Sequence, residues 1–257
     1  MRVYKYLMSR ISQEGAIHLT LIDPDKVNPE EGAEIALAAE RAGTAAIMVG
    51  GSIGVTEAKL DKLIVEMKRR VKIPIILFPG NITGLSRYAD AVWFMSLLNS
   101  TSTYYLIEAQ ALGAPIVKKY GIEPIPMGYI VIEPGEAVGF IGRARPIPIK
   151  HPEIAAIYAL AAQYLGMKFV YLERGSGAPG PLPPEFVEKV ANMVDIPVIV
   201  GGGIKEGTVA KNLTKAGAKC IVTGTIVEEV EDVEVKIKEI VKGIREGALE
   251  RMQNVQR

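Results

Sequence analysis

The chain has 257 residues, a formal net charge of +1 and a single cysteine. Its length fits one α/β barrel, a class that runs to about 250 residues. The near-neutral charge gives no electrostatic basis for binding nucleic acid, and the lone cysteine excludes an internal disulfide. The first fifteen residues lack the apolar stretch of a signal peptide. No uncharged apolar run is long enough to span a bilayer, so we expect a cytosolic protein.

Short apolar runs alternate with amphipathic segments along the whole sequence. The runs are nearly continuous in Ile, Val and other apolar residues, a pattern typical of strands buried on both faces of a parallel sheet. Eight strand–helix units favour a closed (β/α)8 (TIM) barrel over an open doubly wound sheet, and we expect residues 1–257 to form one domain. The predicted strands are Ala16–Asp23, Ala45–Ser52, Pro74–Gly80, Ala91–Leu98, Ile125–Glu133, Phe169–Glu173, Pro197–Gly203 and Cys220–Thr225.

Amphipathic helices are predicted between most of these strands. The third unit is an exception, because the segment between Phe78 and Ala91 is short and rich in glycine. We therefore expect a degenerate third unit that lacks its helix. Pro134–Lys150 predicts a long ordered loop, and such loops are often functional. The predicted helices are Pro29–Ala42, Thr56–Val71, Thr103–Leu112, Pro152–Leu165, Pro183–Val194, Gly207–Ala216 and Asp232–Gln253.

Two consecutive strands near the C-terminus end in glycine. Val198–Lys205 runs into three glycines, and Ile221–Thr225 ends in Gly-Thr. Glycine lets backbone N–H groups approach an anion closely. Many barrels bind phosphate with the loops after strands 7 and 8, so this pair of strand ends predicts a phosphate site.

The end of the predicted sixth strand, Tyr171–Gly177, supplies a carboxylate, a cation and two glycines. A strand's C-terminal end places Glu173 at the mouth of a barrel active site. Residues 175–180 also match the dinucleotide pattern G-x-G-x-x-G, but prolines occupy the positions where the following helix should begin. We therefore exclude a dinucleotide site.

The first two strands end in groups suited to a cation. Asp23 belongs to an Asp-Pro-Asp-Lys stretch, and Ser52 follows two glycines. Mg²⁺ binds one or two protein carboxylates together with phosphate oxygens of a substrate. These residues predict a magnesium site opposite the phosphate loops. His18 lies mid-strand in an apolar run, which favours an interior structural role, and Cys220 is expected to be a buried, inert thiol.

Taken in chain order, these motifs resemble the geranylgeranylglyceryl phosphate synthase family, in its archaeal rather than its bacterial heptaprenyl branch. The resemblance covers nearly the whole chain. Its most specific parts are the Asp-Pro-Asp-Lys and Tyr-Leu-Glu stretches, whereas the glycine motifs also occur in other phosphate-binding barrels. It rests on residues 18–26, 49–52, 171–178, 200–204 and 223–225.

The resemblance implies a barrel without its third helix and a prenyltransferase activity. Such enzymes join sn-glycerol 1-phosphate to geranylgeranyl diphosphate, the first ether-bond step toward archaeal membrane phospholipids. Carried over by motif, Asp23 and Ser52 would bind Mg²⁺, and Glu173, with Tyr171 beside it, would act on the glycerol hydroxyl. The expected glycerol phosphate site comprises Tyr171, Leu172, Glu173, Arg174, Gly175, Ser176, Gly177, Gly202, Gly203, Gly224 and Thr225.

The resemblance also implies a homo-oligomer, a dimer or a hexamer. A lipid substrate is compatible with loose membrane association, although the sequence has no basic amphipathic anchor. The prenyl chain needs an apolar groove, which we expect to be lined by the fourth strand and the degenerate third unit.

Two other classes of protein fit parts of the sequence: a different phosphate-binding barrel enzyme and a non-catalytic lipid-binding barrel. A sugar-phosphate isomerase would use a carboxylate pair on strands 1 and 5, which Asp23 and Glu133 could form. A Schiff-base aldolase needs a desolvated lysine at a strand end, and no lysine here lies in such apolar surroundings. A non-catalytic lipid-binding barrel would keep an apolar groove but would not need both Asp23 and Glu173.

Overall fold

The computed structural model describes residues 2–51 and 55–255. Its eight strands form a closed parallel barrel in chain order, which confirms the predicted fold class. The barrel closes where Ile17 on the first strand pairs with Cys220 on the last. The strands are β1 (Ile17–Ile22), β2 (Ala46–Val49), β3 (Ile75–Leu77), β4 (Ala91–Leu97), β5 (Glu123–Val131), β6 (Phe169–Glu173), β7 (Val198–Gly201) and β8 (Cys220–Thr223).

The helices cover the outside of this barrel. No helix lies between β3 and β4, where residues 78–90 form only turns and bends, so the prediction of a degenerate third unit is confirmed. The helices are α1 (Val3–Glu14), α2 (Pro29–Ala42), α3 (Glu57–Arg70), α4 (Ala109–Tyr120), α5 (Glu136–Ile141), α6 (Pro152–Tyr164), α7 (Pro184–Ala191), α8 (Gly207–Lys215), α9 (Thr225–Glu229) and α10 (Val233–Val255). Within the described ranges, none has both the length and the apolar character needed to cross a membrane.

Local sequence signals explain several helix ends. Asn28 accepts a hydrogen bond from the Glu31 N–H while the Glu31 carboxylate accepts one from the Asn28 N–H, a capping box ahead of α2. Gly43 ends α2 in the left-handed conformation at φ +102°. The Asp232 carboxylate accepts a hydrogen bond from the Val235 N–H at 3.0 Å and so caps the start of α10.

The helix predicted to end before Gly113 was placed wrongly. A π-helical turn, Tyr104–Glu108, leads into α4, which continues through Gly113 to Tyr120. The left-handed residue that ends it is Gly121, at φ +70°, whose N–H bonds the carbonyls of the preceding turn. Gly113 lies inside the helix, where its Cβ position is in ordinary contact with Leu85 at 3.6 Å, and it lines a cavity wall without capping the helix.

The hydrophobic core has two layers separated by the barrel wall. Alternate strand residues such as Leu19, Met48 and Trp93 fill the barrel interior. Residues facing outward, such as Ile22 and Leu172, pack under the surrounding helices. Helix α1, which the sequence analysis did not predict, joins the interior cluster through Leu7. Because the strands are buried on both faces, their sequences are continuous apolar runs.

His18 is the centre of a buried polar network outside the barrel interior. Its Nδ1 lies 2.7 Å from the Thr44 hydroxyl and its Nε2 lies 2.9 Å from the Thr223 hydroxyl. Thr20 and Thr44 are also 2.9 Å apart through their hydroxyls. Burial lowers the pKa of His18 to about 3. The structural role predicted for His18 is therefore confirmed.

The depressed pKa of His18 predicts that the folded protein becomes less stable as the pH falls. The unfolded chain binds a proton at His18 below its ordinary pKa of about 6.5, whereas the folded chain does not bind it until about pH 3. Stability should fall as the pH drops through this window, by up to about 1.4 kcal/mol per pH unit from this group. His18→Gln should show a shallower loss in urea unfolding between about pH 7 and about pH 5. His151→Gln, at an exposed histidine, is the control, and parallel curves for wild type and His18→Gln would contradict the assignment.

Candidate functional site

A polar cavity of about 120 Å³ lies at the carboxyl ends of the strands. Asp23 reaches it from the end of β1, Glu173 from β6, Ser176 from the loop after β6, and Gly224 and Thr225 from the end of β8. Residues far apart in sequence meet there because all parallel strands end on the same face of the barrel. The structure thus brings together five of the predicted site residues.

Glu173 is a buried carboxylate held by fixed donors. One oxygen accepts a hydrogen bond from the Tyr129 hydroxyl at 3.0 Å, and the other accepts the Gly175 N–H at 2.7 Å. Burial raises the pKa of Glu173 above its ordinary value, although these two bonds and one from the Tyr171 hydroxyl act to lower it. A carboxylate with a raised pKa and a cavity in front of it is suited to accept a proton.

Tyr171 and the glycine-rich end of β7 fit closely together. A Cβ on Gly201 would lie 2.0 Å from the Tyr171 hydroxyl, so this position needs glycine. Gly202 and Gly203 both have positive φ, at +94° and +69°. A Cβ on Gly202 would lie 3.0 Å from a Glu173 oxygen. The glycines of β7 therefore leave room for the tyrosine and carboxylate of β6.

The part of the cavity nearest β8 carries hydroxyl groups. The Ser176 and Thr225 hydroxyls are 3.0 Å apart and can bond each other. Gly224 lies beside them, and a Cβ there would make only an ordinary contact with Leu21 at 3.5 Å. Two hydroxyls and a glycine at adjacent strand ends are groups that can donate hydrogen bonds to phosphate oxygens.

Not every predicted binding residue presents its side chain to this cavity. Leu172 packs in the outer core. The Arg174 guanidinium donates to the carbonyls of Gly180 and Pro181, which ties the loop after β6 to its own strand. Any contact from these two residues to a small molecule in the cavity would have to be made by backbone atoms.

Asp23 occupies the opposite side of the cavity. Its Oδ1 accepts the N–H of Asp25 at 3.0 Å, and a Cβ on Gly51 would lie 2.5 Å from the same oxygen. The neighbouring Asp25 forms an ion pair with Lys59. Ser52, the other predicted magnesium ligand, lies outside the described residues. Within those residues no cluster of three metal-binding side chains occurs. Asp23 offers one carboxylate, which fits a Mg²⁺ that takes its other ligands from substrate phosphate oxygens.

An apolar cavity of about 110 Å³ adjoins the polar one. Its walls come from β4, from the helix-free segment after β3, from α4 with its π-helical turn, and from α5. Trp93, Phe94 and Tyr105 are among the aromatic residues that line it, and Pro79, Gly80, Met95, Tyr129 and Val138 line both cavities. The groove expected beside the fourth strand and the degenerate third unit is therefore present.

Sequence reasoning missed several residues of the polar cavity, and two of them carry groups that matter for binding. Phe78 directly follows the short strand β3, and Lys26 follows the Asp-Pro-Asp stretch. The signal for both is their position just past a strand's carboxyl end. The bond from Tyr129 to Glu173 has no local sequence signal, because it depends on the pairing of β5 with β6, which places Tyr129 beside Tyr171.

The structure does not form the alternative carboxylate pair. Glu133 accepts the Ile149 N–H at 3.2 Å and lines a separate surface depression with Arg174 and Pro179. It does not line the cavity that contains Asp23 and Glu173. The geometry expected of a sugar-phosphate isomerase is therefore not present.

Comparisons with known proteins agree with this geometry. Geranylgeranylglyceryl phosphate synthase of Thermofilum pendens is 55% identical over 250 residues, spanning 97% of this chain and 98% of that protein. The synthase of Methanosarcina acetivorans is 54% identical over 246 residues, spanning 95% and 100%. The crystal structure of (S)-3-O-geranylgeranylglyceryl phosphate synthase from Thermoplasma acidophilum, in complex with its substrate sn-glycerol-1-phosphate, superimposes with a TM-score of 0.92 at 44% identity, covering 96% of this chain and 99% of that one.

More distant barrels share only the fold. Thiamine phosphate pyrophosphorylase from Pyrococcus furiosus, for example, has a TM-score of 0.58 at 19% identity. A model of the PcrB family matches residues 9–244. Because that match spans most of the sequence and the two synthases of Thermofilum pendens and Methanosarcina acetivorans exceed half identity over nearly its full length, the chain belongs to the PcrB family.

Proposed function

We propose that this protein is a geranylgeranylglyceryl phosphate synthase, an enzyme that forms an ether bond between the C3 hydroxyl of sn-glycerol 1-phosphate and geranylgeranyl diphosphate and releases diphosphate. The observation that carries the proposal is that a polar cavity, lined by Asp23 and Glu173, lies beside an apolar cavity with which it shares wall residues. A reaction between a small phosphate ester and a prenyl diphosphate needs a polar site for the ester and an apolar site for the prenyl chain. The names of the close relatives support the same reaction.

The acceptor substrate would bind at the β6–β8 side of the polar cavity. Ser176, Gly224 and Thr225 would bind its phosphate, assisted by the backbone of Gly202 and Gly203. Glu173 would accept the proton of the C3 hydroxyl as the hydroxyl oxygen attacks the allylic carbon. Tyr129, Tyr171 and the Gly175 N–H hold the carboxylate in place, so little reorganisation is needed at the moment of attack.

The donor substrate would place its hydrocarbon chain in the apolar cavity and its diphosphate near Asp23. Asp23, with Ser52 as a second ligand, would hold Mg²⁺ together with the diphosphate oxygens. When bound, the metal neutralises charge that develops on the leaving diphosphate. Lys26 also lines this part of the cavity.

The assembly and location of the protein are further parts of the proposal. We infer one domain over residues 1–257 in the cytoplasm, assembled as a homo-oligomer, either a dimer or a hexamer. The exposed faces of Ile157, Tyr164 and Leu165 on and just after α6 support self-association, because large apolar side chains rarely stay in water. Phe140 on α5, whose neighbours Val138 and Ile141 line the apolar cavity, is 86% exposed and supports loose contact with a membrane.

A transfer assay tests the reaction. Labelled glycerol phosphate of each enantiomer is incubated with prenyl diphosphates of several lengths, and the organic phase is counted. We expect label only with sn-glycerol 1-phosphate, and most with the geranylgeranyl donor. Glu173→Gln should reduce the rate by about 10² to 10⁴ while thermal unfolding stays close to wild type. Folded wild-type protein that transfers no prenyl group to glycerol phosphate would disprove the proposal.

The magnesium site predicts unequal roles for two neighbouring aspartates. Asp23→Asn should raise the Mg²⁺ concentration needed for half-maximal activity by about tenfold or more, because it removes a charged ligand. Asp25→Asn is the matched control, since that carboxylate is paired with Lys59, and it should leave the metal requirement unchanged. Equal effects of the two variants, or full activity in EDTA, would contradict this assignment.

The contacts of Glu173 predict a shift in the pH profile. The ionised, proton-accepting form of Glu173 is lost as the pH falls through its raised pKa. A plot of kcat against pH should therefore fall on its acid side, which we call the acid limb. Tyr129→Phe removes a hydrogen bond that lowers this pKa, so the limb should move to higher pH by about one unit. Tyr120→Phe, which loses a surface bond to Glu57, should leave the limb in place. A limb that stays fixed or moves to lower pH in Tyr129→Phe would exclude Glu173 as the base.

A further inference from the structure

Three aromatic rings contact one another where the two cavities join. Phe78 stacks on Tyr171 with ring centroids 5.5 Å apart and planes at 21°. Phe78 also meets Tyr129 at 5.6 Å and 76°, an edge-to-face arrangement. Tyr129 and Tyr171 are 5.2 Å apart. Phe78 lines the polar cavity, and Tyr129 lines both cavities.

The position of Phe78 is fixed by its backbone. Its N–H donates to the Val49 carbonyl at 2.8 Å, and a Cβ on Gly50 would lie 1.9 Å from the Phe78 carbonyl oxygen. The end of β3 therefore lies directly against the glycines that follow β2. Stacking on the buried ring of Tyr171 then orients the Phe78 ring, which stays half-buried at the cavity wall.

If the proposed prenyl transfer takes place here, the reacting carbon has to lie at this junction. The hydrocarbon chain occupies the apolar cavity, the diphosphate lies near Asp23, and the attacking hydroxyl lies near Glu173. A chain that runs from one cavity to the other passes Met95 and Tyr129, which line both. Phe78 directly precedes Pro79, which is another of the residues that line both cavities.

Positive charge develops on that carbon during the reaction. The bond between C1 and the diphosphate oxygen breaks, and its electron pair leaves with the diphosphate. C1 becomes electron-poor until the glycerol oxygen bonds to it and the hydroxyl proton passes to the Glu173 carboxylate. An aromatic face has the negative potential that stabilises a cation within about 6 Å, by about 0.5 to 2 kcal/mol.

We propose that Phe78 is a catalytic residue whose ring face, with Tyr129 beside it, stabilises the allylic cation formed from the prenyl donor. Tyr171 is a positioning residue that holds the Phe78 ring. The hydrogen bond that the Tyr129 hydroxyl donates to Glu173 fixes that ring and increases its electron density. The inference rests on the proposed prenyl transfer and adds a stabilising group for its transition state.

The test replaces Phe78 in the full-length protein with phenylalanines carrying one, two and three ring fluorines. Fluorine weakens the negative potential of the ring face with little change in ring size. The single-turnover rate of ether formation should fall with each fluorine, to a total of about 5- to 30-fold. KM for the donor should change by less than about twofold, because the effect appears only when charge develops. Thermal unfolding of each variant checks the fold.

Phe186 on α7 provides the matched control, because it is a buried phenylalanine that lines neither cavity. The same fluorinated series there should leave the single-turnover rate unchanged.

A second measurement uses the binding of an ammonium analogue of the allylic cation, added together with diphosphate. Its Kd should rise with fluorination at Phe78, whereas the Kd of a neutral analogue of equal shape should not.

The outcomes separate this inference from the proposed function. A rate that is independent of fluorination at Phe78, or equal slopes at Phe78 and Phe186, would overturn the cation-stabilising role while leaving prenyl transfer in place. Absence of any transfer by the wild-type protein would overturn both.

Discussion

The site depends on one buried carboxylate. Glu173 lies at the end of β6, and its two oxygens accept hydrogen bonds from Tyr129 and Gly175. A buried charge without such partners would be costly, so the pairing of β5 with β6 and the turn at Gly175 are needed to keep it there. The glycines of β7 leave space for Tyr171, which supports the same group. Strand register and loop geometry around β5–β7 thus follow from a single electrostatic requirement.

Much of the fold could be predicted from the sequence because its signals are local. Continuous apolar strands, the capping box at Asn28 and the glycine-rich strand ends all act within a few residues. The end of α4 was mispredicted because a glycine can cap a helix or can lie within one, as Gly113 does beside Leu85. Only the tertiary contact distinguishes these.

The site was predictable to the extent that it rests on strand ends. Asp23, Glu173, Ser176 and Thr225 were found because a barrel places all strand ends on one face. Phe78 was not found, because a phenylalanine after an apolar strand looks like another core residue. Its role depends on contacts with Tyr129 and Tyr171, which lie about 50 and 90 residues further along the chain and meet it only when the barrel closes.

The missing helix between β3 and β4 has a consequence for folding energetics. Val92 and Phe94, on the outer face of β4, line the apolar cavity on the side where the helix of the third unit would otherwise lie. A hydrocarbon chain bound there would occupy the place of that helix. The lipid would then complete the hydrophobic layer of the barrel, and its binding energy would add to the free energy of unfolding by mass action. In that sense the substrate is also a structural element that the polypeptide leaves out.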